Sequence, residues 1–263
     1  METQVVITGV TQMGGNHVCV SAYSLDCGWI RPVLDNKPFD EAWLRFDDGR
    51  VAIRPFAIVD FDLLEQERRV QPPHTEDRVI AARYRAYPVL RETDRFDFLR
   101  NVADQDVSTI FDARINHVPG QGLWINYGDG SRSLGVIEAE KINKVSYWKK
   151  TEEDKWIYHL SFTDRAGDSY DLAVTDLAFR YYLDYKRERS SDPTRVAQSV
   201  TSALQNDPER TFIRIGLARR WDKYPDRCYL QVTGIFTFPD YLKGCCFADY
   251  APRPPRPYDN VAF

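Results

Sequence analysis

Two alternating runs near the end of the chain limit its fold more than anything else in it. In Phe212 to Ala218, Ile213, Ile215 and Leu217 share one face, with Arg214 on the other beside Gly216. In Cys228 to Phe236, Leu230 and Val232 alternate with Tyr229, Gln231 and Thr233. A period of two marks a half-buried strand, because successive side chains point to opposite faces. The connection between the runs carries Arg219, Arg220, Trp221, Lys223 and Tyr224. A strand pair with cations and flat rings across its connection suits a single-stranded nucleic acid or a nucleotide. The cations meet phosphate and the rings meet base faces.

The same alternation recurs upstream. Val5 to Val10 reads as a strand, Met13-Gly14-Gly15-Asn16 as a turn, and His17 to Tyr23 as the return strand. Trp29 to Val33 is a shorter strand. Ala57 to Leu64 places Val59, Phe61 and Leu63 opposite Asp60 and Asp62. Pro72-Pro73 is expected to end this region, since proline donates nothing to a ladder. Later, Trp156, Tyr158, Leu160 and Phe162 share one face. Helical patterns interrupt the strands. Thr93 is expected to cap a helix bearing Phe96, Leu99 and Val102, before a loop marked by Gly120, Gly122, Gly128 and Gly130. Asp176 caps Leu177 to Arg189. Asp192, with Pro193 in the first turn, caps a third helix that turns Val196, Val200 and Leu204 inward. The expectation is a β-rich α+β chain of small barrels or sandwiches, not a doubly wound sheet. No glycine-rich phosphate loop sits in a βαβ unit, so P-loop and dinucleotide-fold readings fail.

The chain has 263 residues, 43% of them hydrophobic, enough for one large core or two small ones. Its net charge of -4 argues against coating duplex DNA, which requires many neutralised phosphates. Any nucleic-acid site must be a local patch. Arg210 to Arg227 supplies one, with six basic residues against Asp222 and Asp226. The start, METQVVITGV, has no basic n-region or cleavage site, and no apolar run approaches the roughly 20 residues of a membrane helix. The five cysteines are odd in number and form no C-x-x-C pair, so they read as reduced thiols of a cytoplasmic protein. Adjacent Cys245 and Cys246 leave a metal or a strained disulfide as rarer readings.

Seven segments, in order, carry a family resemblance. They are VVITGVTQM at 5 to 13, WIRPV at 29 to 33, PFAIVDFDL at 55 to 63, PPHTED at 72 to 77, AVTDLAFR at 173 to 180, RIGLARR at 214 to 220, and CYLQVTGIFTFPDYL at 228 to 242. Together they resemble the prokaryotic dual OB-containing domain proteins, over nearly the whole chain. The resemblance implies two OB-like small β-barrels with inserted helices and a nucleic-acid role in bacterial conflict or defence. It brings no catalytic residues. On this reading residues 1–90 form the first barrel, 91–133 a helical and loop bridge, 134–250 the second barrel, and 251–263 a proline-rich tail.

Several residues invite a chemical reading. His74, Glu76 and Asp77 follow two prolines and are expected in a rigid, exposed loop. Their H-x-E spacing is shared with zinc deaminases, but the P-C-x-x-C partner of that motif is missing. They suit a divalent metal with other ligands, or a loop whose carboxylates cap backbone amides. Trp29 and Arg31 lie two apart, so an extended chain puts a stacking ring and a cation on one face. Asp176 and Arg180 have the spacing of an intrahelical ion pair. Tyr181, Tyr182 and Tyr185 read as packing and surface rings. Arg214, Arg219, Arg220, Trp221 and Lys223 make the best nucleic-acid patch, though a solvated strand face and loop would look similar. The leading expectation is a nucleic-acid-binding protein with no catalysis or cofactor of its own, working with a partner enzyme. The rivals are a metal-dependent hydrolase using His74, Glu76 and Asp77, and a protein-interaction adaptor docking through the tail.

Overall fold

The computed structural model describes residues 2–35, 37–64, 71–153 and 155–252. The first strands are β1 (Glu2–Gln12), β2 (His17–Ser24), β3 (Gly28–Val33), β4 (Phe39–Asp40), β5 (Ala57–Leu63) and β6 (Asp77–Val89). Helix α1 (Glu92–Val102) and the hairpin β7 (Asn116–Val118) and β8 (Gly122–Asn126) follow. The second set is β9 (Leu134–Lys150), β10 (Lys155–Asp164), β11 (Ser169–Val174), α2 (Leu177–Glu188), α3 (Pro193–Asn206), β12 (Arg210–Leu217) and β13 (Arg227–Phe238), with α4 (Phe247–Tyr250) last.

Each set closes a five-stranded barrel with one connectivity. In the first, β1 pairs antiparallel with β2 and β5, and β3 closes on β6 in parallel. In the second, β9 pairs antiparallel with β10 and β12, and β11 closes on β13 in parallel. This is the partly Greek-key ring of an OB barrel, and closure removes the exposed sheet edge. Helices α2 and α3 fill the connection between the third and fourth strands of the second barrel. Among the described residues, no helix is long and apolar enough to cross a membrane.

Local chemistry explains most element ends. Asp176 accepts from the Ala178 and Phe179 amides, and Asp192 from Thr194, so both caps form where the sequence places them. Thr93 does not cap α1. That helix starts two residues earlier, at Glu92 after Arg91, which provides no capping side chain. Pro72-Pro73 does not end the first β region either. It lies in the turn that feeds β6, a strand the prolines and charges of this stretch conceal. The stretch read as loop contains the β7–β8 hairpin, with Gly120 in its turn at φ 77°, where a side chain is strained. The proline-rich part of the tail, 253–263, lies outside the described residues.

Each barrel encloses its own apolar cluster. A third cluster lies between them. Trp29, Phe56, Leu99, Leu134, Val136, Phe212 and Phe236 are buried there, from both barrels and from α1. Each such side chain contributes about 1.5–3 kcal/mol relative to exposure, so this joint is a core, not a hinge.

Candidate nucleic-acid interface between the barrels

The His74 segment turns inward, contrary to expectation. His74, Glu76 and Asp77 are all buried. His74 Nε2 lies 3.3 Å from the Leu217 carbonyl of the second barrel and must donate to it, since a carbonyl only accepts. Burial, then the charges of Arg31 and Arg219, hold the imidazole pKa down to about 3, against the Leu217 bond. The Glu76 carboxylate accepts from the Ser133 and Leu134 amides and from Ser133 Oγ. Asp77 bridges Arg31 Nη1 at 3.3 Å and Arg219 Nη2 at 2.5 Å. A hydrolase built on these three has no open ligand set, because their donor atoms already hold the barrels together. Among the described residues, no His, Cys, Asp or Glu cluster has metal-binding geometry.

Trp29 and Arg31 are corrected in the same way. Trp29 is buried against Tyr23, with ring centroids 5.4 Å apart, and belongs to the inter-barrel cluster. No base can reach its face. Arg31 is buried and donates to Ser133 Oγ at 2.7 Å as well as to Asp77. The Asp176–Arg180 ion pair is also absent. Asp176 is buried and accepts a third amide, from Ile235 at 3.1 Å. Arg180 instead lies with its guanidinium carbon 4.9 Å from the Tyr158 ring centroid. Of the three tyrosines, Tyr181 is buried and its hydroxyl donates to Glu41 of the first barrel.

Arg214 is the largest departure. Period-two alternation puts it on a solvent face, yet it is 1% exposed. Two bulges explain how it is held. In β1 the register slips between Ile7 and Gly9, leaving Thr8 as the extra residue. In β13 the slip leaves Thr233. Bulges re-aim side chains, and both threonines meet Arg214. Nη1 donates to Thr8 Oγ1 at 3.2 Å, Nε to Thr233 Oγ1 at 3.1 Å, and Nη2 to the Thr233 carbonyl at 2.5 Å. The guanidinium lies directly on Gly9, where an added Cβ would sit 2.3 Å from Cζ. Gly9→Ala is therefore expected to lower stability by about 1–3 kcal/mol, the usual range for overpacking. Urea unfolding of the variant checks this, and an unchanged midpoint would show that Arg214 moves aside freely.

Of these residues, Arg31, Arg180, Arg214, Leu217, Arg219 and Thr233 line one cleft of about 700 Å³ between the barrels. Its walls are the β1–β2 turn, the end of β3, the start of α2, the start of β10 and the end of β12. Six cations line it, Arg31, Lys37, Lys155, Arg180, Arg214 and Arg219, and Asp35 is the one lining carboxylate among the described residues. Asp77, Glu76 and Asp176 stand behind that wall. The cleft thus joins Arg31, Arg214 and Arg219 from the sequence reading. It adds Lys37 and Lys155, which no local pattern marks, and Arg180, whose spacing from Asp176 suggested an ion pair and not a place in a cleft.

Arg220, Trp221 and Lys223 are exposed on the β12–β13 connection, next to Arg219 at the cleft mouth. Trp221 is 56% exposed. Lys223 Nζ lies 5.6 Å from the ring centroids of both Trp221 and Tyr224, and the Arg220 guanidinium 4.9 Å from that of Tyr127. The turn is a second copy of the His74 turn. Tyr224 donates its amide to the Trp221 carbonyl at 2.8 Å, as His74 does to Gln71 at 2.7 Å, and each turn leads into the last strand of its barrel. One copy is buried in the joint. The other is open to solvent.

A family model for the dual OB-containing domain matches residues 3–235. The chain belongs to the dual OB-containing domain family. No curated protein matches it. In this dual OB protein, the first barrel's β1–β2 turn and the second barrel's β12–β13 connection both border the cleft. Those are the loops by which OB barrels take oligonucleotides and oligosaccharides.

Proposed function

We propose that this dual OB protein binds single-stranded nucleic acid, or a nucleotide, in the cleft between its barrels. The observation that carries this reading is the cleft lining: among the described residues, six cations and one carboxylate on a chain whose net charge is -4. Backbone phosphates enter the cleft, and Arg219, Arg220 and Lys223 extend the cationic track outward. Trp221 offers a ring to a base. The chain performs no chemistry of its own on the strand and holds it for a partner enzyme in a bacterial conflict setting.

Salt and substitution test the proposal together. Binding of a fluorescent oligothymidylate is expected to weaken linearly in log salt, with a slope of about 0.7 per phosphate contact on a single strand. The double variant Arg219→Ala, Arg220→Ala should bind every sequence more weakly and show a flatter slope. Trp221→Ala should lose about 1–3 kcal/mol of stacking with the slope nearly unchanged. If the folded double variant binds as tightly as the parent, the strand does not run over this connection.

A further inference from the structure

The two walls of the cleft differ in chemistry. The barrels meet where the Gln12 amide donates to the Thr175 carbonyl at 2.8 Å and Arg31 donates to Ser133 Oγ at 2.7 Å, and each barrel supplies one wall. The second barrel contributes Lys155, Arg180, Arg214 and Arg219 and, among the described residues, no carboxylate. Two of these cations are partly answered from behind. The charge of the buried Asp176 acts on Arg214, and Asp77 pairs with Arg219. Lys155 is exposed at the start of β10, and 49% of the Arg219 side chain remains accessible.

The first barrel contributes an apolar strip. Val10, Val18, Val20 and Phe39 belong to its core, so alternation turns Thr11 and Cys19 to the outer face. β1 sets Thr11 opposite Cys19, and β4 sets Phe39 opposite Val18. Continuing the second register places Pro38 beside Cys19. Met13 after β1, Val33 at the end of β3 and Leu34 after it line the same cleft. Met13 is 45% exposed, Pro38 is exposed, and Val33 and Leu34 are half-buried. The charges of this wall nearly cancel. Arg31 is paired with Asp77, and Asp35 and Lys37 have opposite signs.

A ligand that suits both walls is apolar along one side and anionic along the other. A single strand has that form, with base faces on one side and phosphates on the other. Covering the apolar strip removes it from water, and the phosphates meet the cations opposite. We propose that Met13, Val33, Leu34 and Pro38 form a base subsite, which turns the bases toward the first barrel and the phosphates toward Lys155, Arg180 and Arg219. The inference rests on the cleft being the strand site. The four side chains donate no hydrogen bond, so the subsite senses a base without reading which one. Trp221 lies outside the cleft lining and stacks separately.

Oligothymidylate and an abasic strand of equal length carry the same phosphates and differ only in their bases. Trp221→Ala serves as the background, because it removes the stacking on the β12–β13 connection. In it, oligothymidylate is expected to bind about tenfold tighter than the abasic strand, with equal salt slopes. Adding Met13→Ser and Pro38→Ser should remove most of that preference and leave the abasic affinity unchanged. Lys155→Ala should do the reverse. It should weaken both strands alike, flatten both slopes and keep the preference. Circular dichroism checks each fold, and Met13→Ser alone, at an exposed position, repeats the test where the combined variant does not fold. Salt-sensitive binding of both strands with equal affinity would overturn the base subsite and keep the strand reading. A preference that survives Met13→Ser and Pro38→Ser in a folded variant would overturn the orientation. Binding of neither strand would sink the strand reading and the subsite with it.

Discussion

Asp77→Asn is expected to lower the stability of the whole protein by about 3–5 kcal/mol, the usual loss when one partner of a buried ion pair is removed. Asp77 and Arg31 are both nearly inaccessible, with side chains 5% and 6% exposed. The asparagine keeps the size of the side chain but removes the carboxylate in contact with the buried Arg31 charge, leaving only the more distant charge of Glu76. Ser133 Oγ still accepts from Arg31, but it is neutral. The other partner sets the control. Arg219 is 49% exposed, so water replaces Asp77 there. Arg219→Ala should lose less than about 1 kcal/mol. Urea unfolding of both variants compares the two. Replacing Arg31 and Asp77 together by apolar residues of similar size should recover much of the loss, because the desolvation penalty leaves with the pair. A loss under about 1 kcal/mol for Asp77→Asn would mean that the apolar cluster around Trp29 and Phe212 alone holds the barrels together.

The strands of this chain were readable where one face meets the core and the other meets water. Val59, Phe61 and the Asp60–Asp62 face gave β5, and the Ile213 to Leu217 face gave β12. Alternation carries no such signal where a strand is covered on both sides. Phe212, Arg214 and Gly216 form the second face of β12, and all three are buried at the inter-barrel joint. Alternation alone assigns that face to solvent, so Arg214 looked like a surface cation. Gly216 held a hint, since an added Cβ would lie 3.0 Å from Thr233 and 3.2 Å from Leu134. Strand β6 stayed hidden because Arg83, Arg85 and Pro88 interrupt its apolar positions. His74, Glu76 and Asp77 were legible as a chemical cluster but not as a joint. Their partners Ser133, Leu217 and Arg219 lie far along the chain, and only folding brings them together. The other copy of that turn, at Trp221 to Tyr224, keeps Trp221 and Lys223 exposed. Lys37, Lys155 and Arg180 become a set only in the cleft.

Acid should loosen the joint through His74. Its pKa falls from 6.5 to about 3 on folding, because burial and then the Arg31 and Arg219 charges disfavour the imidazolium. The unfolded chain therefore binds the proton more tightly. The stability this neutral histidine contributes is full above pH 6.5 and is lost as pH falls toward 3, at about 1.4 kcal/mol per pH unit. Asp176 works in the opposite direction. Burial raises its pKa to about 6 despite three amide bonds and the Arg214 charge, so its contribution is present below pH 3.8 and is lost as pH rises through 6. The two slopes cancel between about pH 4 and 6 in the parent protein. A double difference removes Asp176, which titrates in parent and variant alike. His74→Gln keeps an N–H near the Leu217 carbonyl but cannot be protonated. The parent's stability advantage over this variant, measured by urea unfolding, should shrink by about 1.4 kcal/mol for each pH unit from 6.5 to 4.5. Protonation places a third cation beside Arg31 and Arg219, with Asp77 as the carboxylate that bridges those two. An advantage that stays constant over that range would show that the imidazole is already solvated, and that the His74 turn is not a sealed part of the joint.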